Sequence, residues 1–360
     1  MTSNQSIIFH AIEKLKPEIQ KLKIILIANS KDTPLNNRPN SKDIWIEFFT
    51  DSEIEYLTNA LRSNDLYVDV YFAEQDFIKD ILNHKYTDLN QLFVFNLARN
   101  GFGISKKSLI PSFCDLMDIK YSGSNAYVCS LARNKFHCSQ LFLYLNSAGT
   151  PGWVYDPLSG WFLDEKPPQN TEVIIKPMFE SASKGITRES IMNTSDPLFL
   201  SRVNTRAQRS LEPMLIQKFI KGYECQIPFI KLNQNIFFQP IGICIGGDCL
   251  LGDKIISEDL SYVYSYEYYN AFEKLDSSVC ERMIQTARRA AEIVGIETYG
   301  RIDFRLDNQM NFYITDIATM PYIVEHSSFY HVFSEMGMSE RELMLSIIGS
   351  ALINKYHYVV

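Results

Sequence analysis

The sequence has little that would direct it into a membrane or out of the cell. It contains no uninterrupted apolar stretch of about 18 residues, the minimum expected for a transmembrane helix. The nearest approach, Ile236–Leu251, is broken by Gln239, Pro240 and Asp248. Met1–Lys23 lacks a basic segment followed by an apolar core, so it does not read as a signal peptide. These absences predict no membrane partner.

Paired cysteines and an excess of basic residues are also missing. The 7 cysteines are odd in number, widely spaced and without a C-x-x-C pair, which argues against a disulfide framework or a zinc site. Buried reduced thiols in a cytoplasmic protein are the expectation. Lys and Arg total 35 against 42 Asp and Glu, a formal net charge of -7. Because nucleic-acid binding needs a basic surface, this balance argues against a nucleic-acid partner.

Alternating strand-like and helix-like segments dominate the first third of the chain. The predicted strands are Lys23–Asn29, Tyr67–Phe72 and Leu92–Leu97, and the predicted helices are Asp51–Arg62, Glu74–Leu82 and Ser105–Met117. This β-α-β-α-β order predicts a parallel sheet with right-handed crossovers. A length of 360 residues predicts two or three domains.

Helices and a hairpin are predicted outside that region. Apolar residues recur at helical spacing from Ile7 to Ile19, which predicts a leader helix packed on the body or on a partner chain. Ser277–Val294 reads as a helix. Tyr299–Leu306 and Phe312–Ile317 read as a hairpin joined by an Asp-Asn turn. Ser339 with Glu342 forms a capping-box pattern at the start of a last helix.

The predicted hairpin carries the acidic residues that suggest chemistry. Arg301 and Asp303 are two residues apart and therefore share a strand face, and Asp316 ends the adjacent strand. Two carboxylates brought together by strand pairing repel each other unless a cation lies between them. Their hard oxygens suit Mg²⁺ completed by nucleotide phosphates, whereas a solvated acidic hairpin is the alternative. Arg301 would neutralise developing negative charge.

Two further segments have the composition of a phosphate site. Lys176 ends an apolar strand, from which its ammonium could reach a phosphate while the stem stays buried. Glu180–Gly185 is a loop of small residues whose backbone N–H groups could approach anionic oxygens. No Walker A sequence occurs. Each segment alone also fits an ordinary surface position.

Taken together and in order, these segments resemble the ATP-grasp fold and, within it, the D-alanine–D-alanine ligase-like group of carboxylate–amine ligases. The resemblance spans roughly residues 23–350. It is carried by Phe95–Leu97, Tyr121–Ser124, Lys135, Ile174–Pro177, Ile216–Glu224, Gly300–Asp303 and Asp316–Pro321.

The resemblance implies an α/β (α+β, multi-domain) fold. A leader helix (1–22) would precede a parallel-sheet N-terminal domain (23–122), a small central ATP-grasp subdomain (123–212) and a larger, antiparallel-sheet C-terminal catalytic domain (213–360). It also implies ATP and Mg²⁺ as cofactors and small carboxylate and amine substrates. Dimerisation is usual in the family, so a homodimer is a further expectation, with the leader helix at its interface.

The resemblance also implies roles for individual residues. Asp303 and Asp316 would hold Mg²⁺, Arg301 would steady the acylphosphate, and Ser327 would contact the carboxylate of the amine substrate. His326, Tyr322 and Tyr266 would line the substrate site. The remaining residues would contact ATP. Lys135 and Lys176 would contact its phosphates, and Glu180, Ser181 and Ser183 would do so from the mobile loop, with Ser183 also acting as a catalytic residue. Adenine would be contacted by Gln217, Lys218, Phe219 and Ile220, and the ribose by Glu224.

The implied reaction has two steps. A carboxylate attacks the γ-phosphate of ATP to give an acylphosphate and ADP, and an amine then displaces phosphate to form an amide. Loop closure would exclude water, which otherwise hydrolyses the acylphosphate.

The sequence departs from the family at several positions. Ala318 stands where the family's metal motif has Asn, and Asp316 stands in place of Glu. Tyr322 replaces a Gly, and Asn29–Asn40 stands where true D-alanine ligases carry a Gly-Gly loop with a substrate-binding Glu. We therefore expect a product other than D-alanyl-D-alanine. A nucleotide-binding but catalytically silent protein is the alternative that Ala318 favours, and a kinase is a remoter one.

Aromatic residues are abundant, with 20 Tyr and 23 Phe. Five tyrosines cluster between Tyr262 and Tyr269, in a segment predicted to be a loop beside the acceptor. This cluster favours a substrate larger or less polar than alanine.

Overall fold

Three β-sheets organise the protein. The computed structural model describes residues 3–32, 47–101, 103–232 and 235–359. Within them the sheets contain 4, 5 and 6 strands. Part of the departing segment, residues 33–40, lies outside the described residues, as do Met1 and Thr2 of the leader.

The N-terminal sheet is parallel and has the strand order β2-β1-β3-β4. Its strands are β1 (Lys23–Ala28), β2 (Tyr67–Tyr71), β3 (Leu92–Leu97) and β4 (Lys120–Tyr121), and its helices are α2 (Asp51–Arg62), α3 (Glu74–Leu82) and α4 (Leu109–Met117). Every residue of β3 is buried, as its continuous apolar sequence predicts. The predicted helix at 105–117 begins only at Leu109, because residues 103–108 form a short 3₁₀ turn and further turns.

The central sheet is antiparallel, in the order β6-β5-β9-β7-β8. The region contains α5 (Ala126–Arg133), α6 (Lys135–Tyr144), β5 (Gly152–Asp156), β6 (Gly160–Trp161), β7 (Glu172–Pro177), β8 (Ile191–Asn193), α7 (Phe199–Ser210) and β9 (Met214–Lys218). Strand β9 lies between β5 and β7. The predicted domain boundary after residue 212 therefore falls one strand earlier than the division between the sheets.

The C-terminal sheet is also antiparallel, in the order β13-β12-β10-β14-β15, with β11 paired to β10. The region contains β10 (Tyr223–Lys231), β11 (Asn235–Phe237), β12 (Ile241–Cys244), α8 (Glu258–Tyr262), β13 (Glu267–Asn270), α9 (Ser277–Val294), β14 (Tyr299–Leu306), β15 (Phe312–Ala318), α10 (Ser328–Glu335) and α11 (Glu340–Tyr356). The predicted hairpin is β14–β15, and the Ser339–Glu342 capping box starts α11.

The leader segment forms helix α1 (Ser3–Ile19), which packs on α11 of the same chain. Ile8, Leu15 and Ile19 are at most 2% exposed and share a core cluster with α11 and the N-terminal sheet. Of the two packing partners that the sequence allowed, the structure uses the body of the protein.

Two sequence expectations are corrected by the structure. Cys244 and Cys249 form a disulfide, with their Cα atoms 4.1 Å apart. Gly246 and Gly247 adopt positive φ angles and fold the chain back between them, so cysteines separated by 5 residues meet without a C-x-x-C motif. The Tyr-rich segment is only partly a loop, because α8 ends at Tyr262 and residues 267–270 form β13.

No helix in the described ranges is long and apolar enough to cross a membrane.

Candidate active site

One pocket at the junction of the three sheets collects every residue that the sequence assigned to the site. Its lining includes Lys135, Lys176, Glu180, Ser181, Ser183, Gln217, Lys218, Phe219, Ile220, Glu224, Tyr266, Arg301, Asp303, Asp316, Tyr322, His326 and Ser327. Residues separated by almost 200 positions in sequence therefore converge.

The carboxylates of the hairpin face each other as predicted. Asp303 on β14 is the register partner of Asp316 on β15. The Arg301 guanidinium donates two hydrogen bonds to Asp303, from Nε to Oδ1 at 2.6 Å and from Nη2 to Oδ2 at 2.7 Å. Burial raises the pKa of Asp303 and Asp316 adds to this, whereas Arg301 opposes it. Without Arg301, the buried carboxylate would therefore be far costlier to ionise.

A close approach of the two strands explains the glycine beside Arg301. A Cβ atom at Gly300 would lie 2.9 Å from the Ala318 carbonyl oxygen and 2.8 Å from the Phe229 ring. Any side chain at position 300 would push β15 away and move Asp316 relative to Asp303.

The side chains of the hairpin offer few ligands for a metal ion. Asp303 and Asp316 offer hard carboxylate oxygens, and Asp303 is 9% exposed. Ala318, the register partner of Arg301, offers no side-chain oxygen. No group of three or more His, Cys, Asp or Glu residues suited to a metal occurs in the described part of the chain. Two carboxylates fit one hard cation only if a bound phosphate completes its shell.

Two lysines of the central region line the same pocket as these acids. Lys176 is 7% exposed, and its Nζ donates to the Thr315 carbonyl oxygen at 3.1 Å. Burial lowers the pKa of Lys176 to about 8, although the nearby Asp316 opposes this shift. Lys135, at the start of α6, donates from Nζ to the Glu180 carbonyl oxygen. Both ammonium groups thus lie where they could meet phosphate oxygens.

The loop 180–185 has a backbone suited to presenting N–H groups and is held at its far end. Ala182 and Ser183 both adopt left-handed conformations, with φ of 53° and 56°. Gly185 N–H donates to Glu258 Oε2 at 2.6 Å, and its carbonyl oxygen accepts from Arg206 Nη1 at 2.9 Å. Arg206 on α7 therefore holds the loop.

The predicted adenine and ribose segment lies along β9 and β10. Gln217 is 2% exposed, and Phe219 and Ile220 are also buried. Glu224 Oε2 accepts from Arg305 Nη1 at 3.0 Å. Arg305 also donates to the carbonyl oxygens of Lys254 and Gly252. Arg305 is therefore paired with an acid in this structure.

Aromatic side chains close the opposite side of the pocket. The Tyr322 hydroxyl donates to Glu53, and the Tyr264 hydroxyl lies within hydrogen-bond distance of both the Tyr322 hydroxyl, at 3.0 Å, and Glu53 Oε1, at 3.1 Å. The His326 ring stacks on Tyr264 with centroids 5.1 Å apart. Ser327 caps α10 by accepting the Tyr330 N–H at 3.1 Å. This side is consequently smaller and more aromatic than a glycine at position 322 would leave it.

Sequence reasoning missed a buried charged cluster beside the loop. Glu47 is 2% exposed, and its Oε1 lies 3.0 Å from Arg133 Nη2 and 3.2 Å from Lys106 Nζ. Arg133 Nη1 also donates to Ser181 Oγ at 3.2 Å, and Ser181 N–H donates to Glu47 at 2.9 Å. A usable signal was present, since basic residues follow β3, and sites of parallel sheets lie beyond the carboxyl ends of their strands.

Residues 165–349, slightly more than half of the chain, match the family model described as D-ala D-ala ligase C-terminus. A D-alanine–D-alanine ligase of Petrotoga mobilis is 25% identical over 284 residues, covering 76% of this chain and 83% of that protein. One from Pseudoalteromonas translucida is 24% identical over 273 residues, covering 74% and 82%.

Solved structures agree with this match at the level of the fold. The crystal structure of a D-alanine–D-alanine ligase from Bacillus anthracis, complexed with ATP, aligns with a TM-score of 0.69 and 14% identity. The alignment covers 94% of this chain and all of that one.

Proposed function

Because the chain belongs to the D-alanine–D-alanine ligase family of ATP-grasp proteins, we propose that it joins a small carboxylic acid to an amine at the expense of ATP. The observation that carries this proposal is the convergence of Lys176, Arg301, Asp303 and Asp316 in one pocket with the loop 180–185. Cations and carboxylates in this combination suit phosphoryl transfer.

ATP binding is assigned to the central and C-terminal sheets. Gln217 and the backbone of Lys218–Ile220 would contact adenine, and Glu224 would accept hydrogen bonds from the ribose hydroxyls. Lys135 and Lys176 would hold the phosphates. Asp303 and Asp316 would hold one Mg²⁺ ion, which when bound neutralises phosphate charge.

Arg301 is assigned to the reacting groups. Substrate carboxylate oxygen attacks the γ-phosphorus, and the bond from phosphorus to the β,γ-bridging oxygen breaks as ADP leaves with its electron pair. The amine nitrogen then attacks the acyl carbon and expels inorganic phosphate, losing one proton. Arg301 is held by Asp303 in a fixed orientation, in which its charge can stabilise the anionic intermediates of both steps.

The substrate pair is proposed to differ from two molecules of D-alanine. Tyr264 and Tyr322 are hydrogen-bonded to each other, and Phe49 stacks on Tyr322 with centroids 5.1 Å apart. Tyr264 and Tyr322 line the pocket, with Phe49 packed behind Tyr322, and their rings favour a substrate with more apolar surface than alanine.

A nucleotide-binding protein without turnover is the second candidate, and Ala318 is the observation that favours it. The position faces Arg301 in the hairpin register, and an oxygen ligand there would complete a fuller metal shell. Retention of Lys176, Arg301, Asp303 and Asp316 favours the ligase.

The test is a substrate screen on the full chain with ATP and Mg²⁺. Pairs of amino acids and peptides are scored for ADP by coupled assay and for amide products by mass spectrometry, with Ala318→Asn run in parallel. We expect ADP and amide in equal amounts for a pair other than D-alanine alone.

Each of the other possible results of the screen would lead to a different conclusion about the protein. Turnover with D-alanine alone at ordinary ligase rates would overturn the specificity. ADP with a phosphorylated product and no amide would indicate a kinase. ATP binding without turnover in either protein would support the silent candidate, and turnover only in Ala318→Asn would identify Ala318 as the lesion.

A further inference from the structure

Four cationic side chains are buried where the N-terminal sheet meets the pocket. Arg99 follows β3, Lys106 and Lys107 precede α4, and Arg133 ends α5. Each is at most 8% exposed, and Arg99, Lys107 and Arg133 line the pocket. We call these four residues the N-terminal basic cluster. Lys and Arg are almost never this buried without partners.

In the described part of the chain, the acids that pair with this cluster are fewer than its basic side chains. Glu47 and Glu180 are its two carboxylate partners, and both pair with Lys106 and Arg133. Glu180 is further shared with Lys184 at 3.2 Å. Arg99 and Lys107 make no ion pair with any residue that the structure describes. Two basic side chains therefore reach the pocket without a carboxylate partner among the described residues.

The two unpaired cations differ in how they are held. Arg99 donates from Nη1 to the Glu47 carbonyl oxygen at 3.2 Å and from Nη2 to the Met320 carbonyl oxygen at 3.3 Å. Its Nε finds no hydrogen-bond partner among the residues that the structure describes. Lys107 has no hydrogen bond within the described ranges. Burial, with Arg99, Arg133 and Lys106, holds the pKa of Lys107 well below its usual range, and Glu47 opposes the shift. A bound anion would remove this penalty.

The position of the unpaired cations separates them from the proposed phosphate lysines. Burial has the largest effect on the pKa of both Lys176 and Lys107, but the charges that follow it differ: Asp316 and Lys135 for Lys176, and Glu47 and Arg99 for Lys107. The Arg99 guanidinium lies 4.7 Å from the Phe49 ring centroid and 5.6 Å from that of Tyr322. It therefore borders the aromatic side of the pocket rather than the adenine segment.

We propose that the acid substrate carries a second anionic group, a carboxylate in addition to the one that reacts, and that Lys107 and Arg99 bind it. This inference rests on the proposed function and names its substrate class as dicarboxylic acids, acidic amino acids included. The reacting carboxylate would lie toward Arg301, and the second would lie at the N-terminal basic cluster.

The experiment is a binding titration that does not depend on turnover. The full chain with Mg²⁺ and a non-hydrolysable ATP analogue is titrated calorimetrically with both enantiomers of aspartate and glutamate, with succinate and glutarate, and with asparagine and glutamine as neutral isosteres. We expect at least one dicarboxylate to bind about tenfold more tightly than its neutral isostere, as a charge-assisted contact provides.

Variants at position 107 test whether Lys107 is responsible for the preference for dicarboxylates. Lys107→Met is expected to abolish it while changing the affinity for the ATP analogue less than about twofold, and Lys107→Arg to retain it. Lys79→Met, an exposed lysine on α3, is the matched control. Lys107→Met removes a buried basic group that has no ion-pair partner among the described residues. The melting temperature of this variant should therefore not be lower than that of the parent protein, and thermal unfolding of both measures this.

Several results would overturn the inference. Equal affinity for acids and isosteres, no binding by any dicarboxylate at millimolar concentration, or a preference that survives in Lys107→Met would each do so. A loss of nucleotide affinity in Lys107→Met would instead assign Lys107 to the phosphates. Turnover of neutral amino acids, unchanged in Lys107→Met, would leave the ligase intact and remove only the second anionic group.

Discussion

At the scale of residues, two arginines on one strand are expected to have different roles, one in the reaction and one in nucleotide binding. Arg301 and Arg305 both lie on β14 and each pairs with a carboxylate, Asp303 and Glu224 respectively. Arg301 is close to the proposed reacting atoms, whereas Arg305 supports the proposed ribose ligand. The pair therefore offers an internal comparison of chemistry with nucleotide binding.

We predict that Arg301→Met lowers kcat about 10²- to 10³-fold, the usual effect of losing one preorganised group that stabilises a transition state. The KM for ATP should also rise, but by a smaller factor, because loss of Arg301 disfavours ionisation of the Asp303 carboxylate that is proposed to hold Mg²⁺. Arg305→Met should raise the KM for ATP about tenfold, because it leaves Glu224 buried without its partner. Steady-state kinetics on both variants measure the split, and an equal effect of the two variants on kcat would contradict the assigned roles.

Residues in short ordered motifs could be predicted from the sequence, and residues in irregular backbone could not. Lys176, Asp303 and Asp316 stand at strand ends or in a strand pair, where periodicity fixes the face that each occupies. Lys106 and Lys107 were assigned to a helix that begins only at Leu109. Their burial depends on turns and on Glu47, which no local pattern connects to them.

At the scale of elements, α1 is expected to contribute to the stability of the monomer. Leu15 is 2% exposed, and its Cδ1 would lie 3.0 Å from a Cβ at Gly349 in α11. The two helices are thus in close contact, and the glycine permits it. The apolar face of α1 is buried against other elements of the same chain.

We predict that Leu15→Ala lowers the free energy of unfolding by about 3 kcal/mol, within the range for a buried leucine truncated in a packed core. Lys14→Ala, an exposed neighbour on the same helix, should change it by less than about 0.5 kcal/mol. Chemical denaturation measures both. Equal effects of the two substitutions would mean that α1 does not pack on α11 in solution.

Helices and strands with a clear periodicity of apolar residues could be predicted from the sequence. Elements that form only through contacts between distant parts of the chain could not. Ser277–Val294 and the β14–β15 hairpin follow from helical spacing and from turn residues. Strand β13 exists because residues 267–270 pair with β12, which itself ends at a cysteine of the disulfide. The β12–β13 pairing has no local sequence signal, because it joins residues as far apart in sequence as Ile241 and Asn270.

At the scale of the whole molecule, three sheets converge on one pocket with divided roles. The central and C-terminal sheets supply the proposed nucleotide and metal groups, and the N-terminal region supplies Arg99, Lys106 and Lys107 of the basic cluster, which Arg133 of α5 completes. The loop 180–185 joins them, since Ser181 bonds Glu47 and Arg133 while Gly185 bonds Glu258 and Arg206. This arrangement suits a reaction in which ATP and an acid must be aligned before water is excluded.

The most direct test of this account follows oxygen from substrate to product. The acid that supports ADP formation is labelled with ¹⁸O in its reacting carboxylate, and the inorganic phosphate released with the amide is examined by mass spectrometry. The acylphosphate mechanism predicts one ¹⁸O atom in that phosphate, because the carboxylate oxygen that attacks γ-phosphorus leaves with it. Unlabelled phosphate would contradict the central claim that this protein activates a carboxylate by phosphoryl transfer.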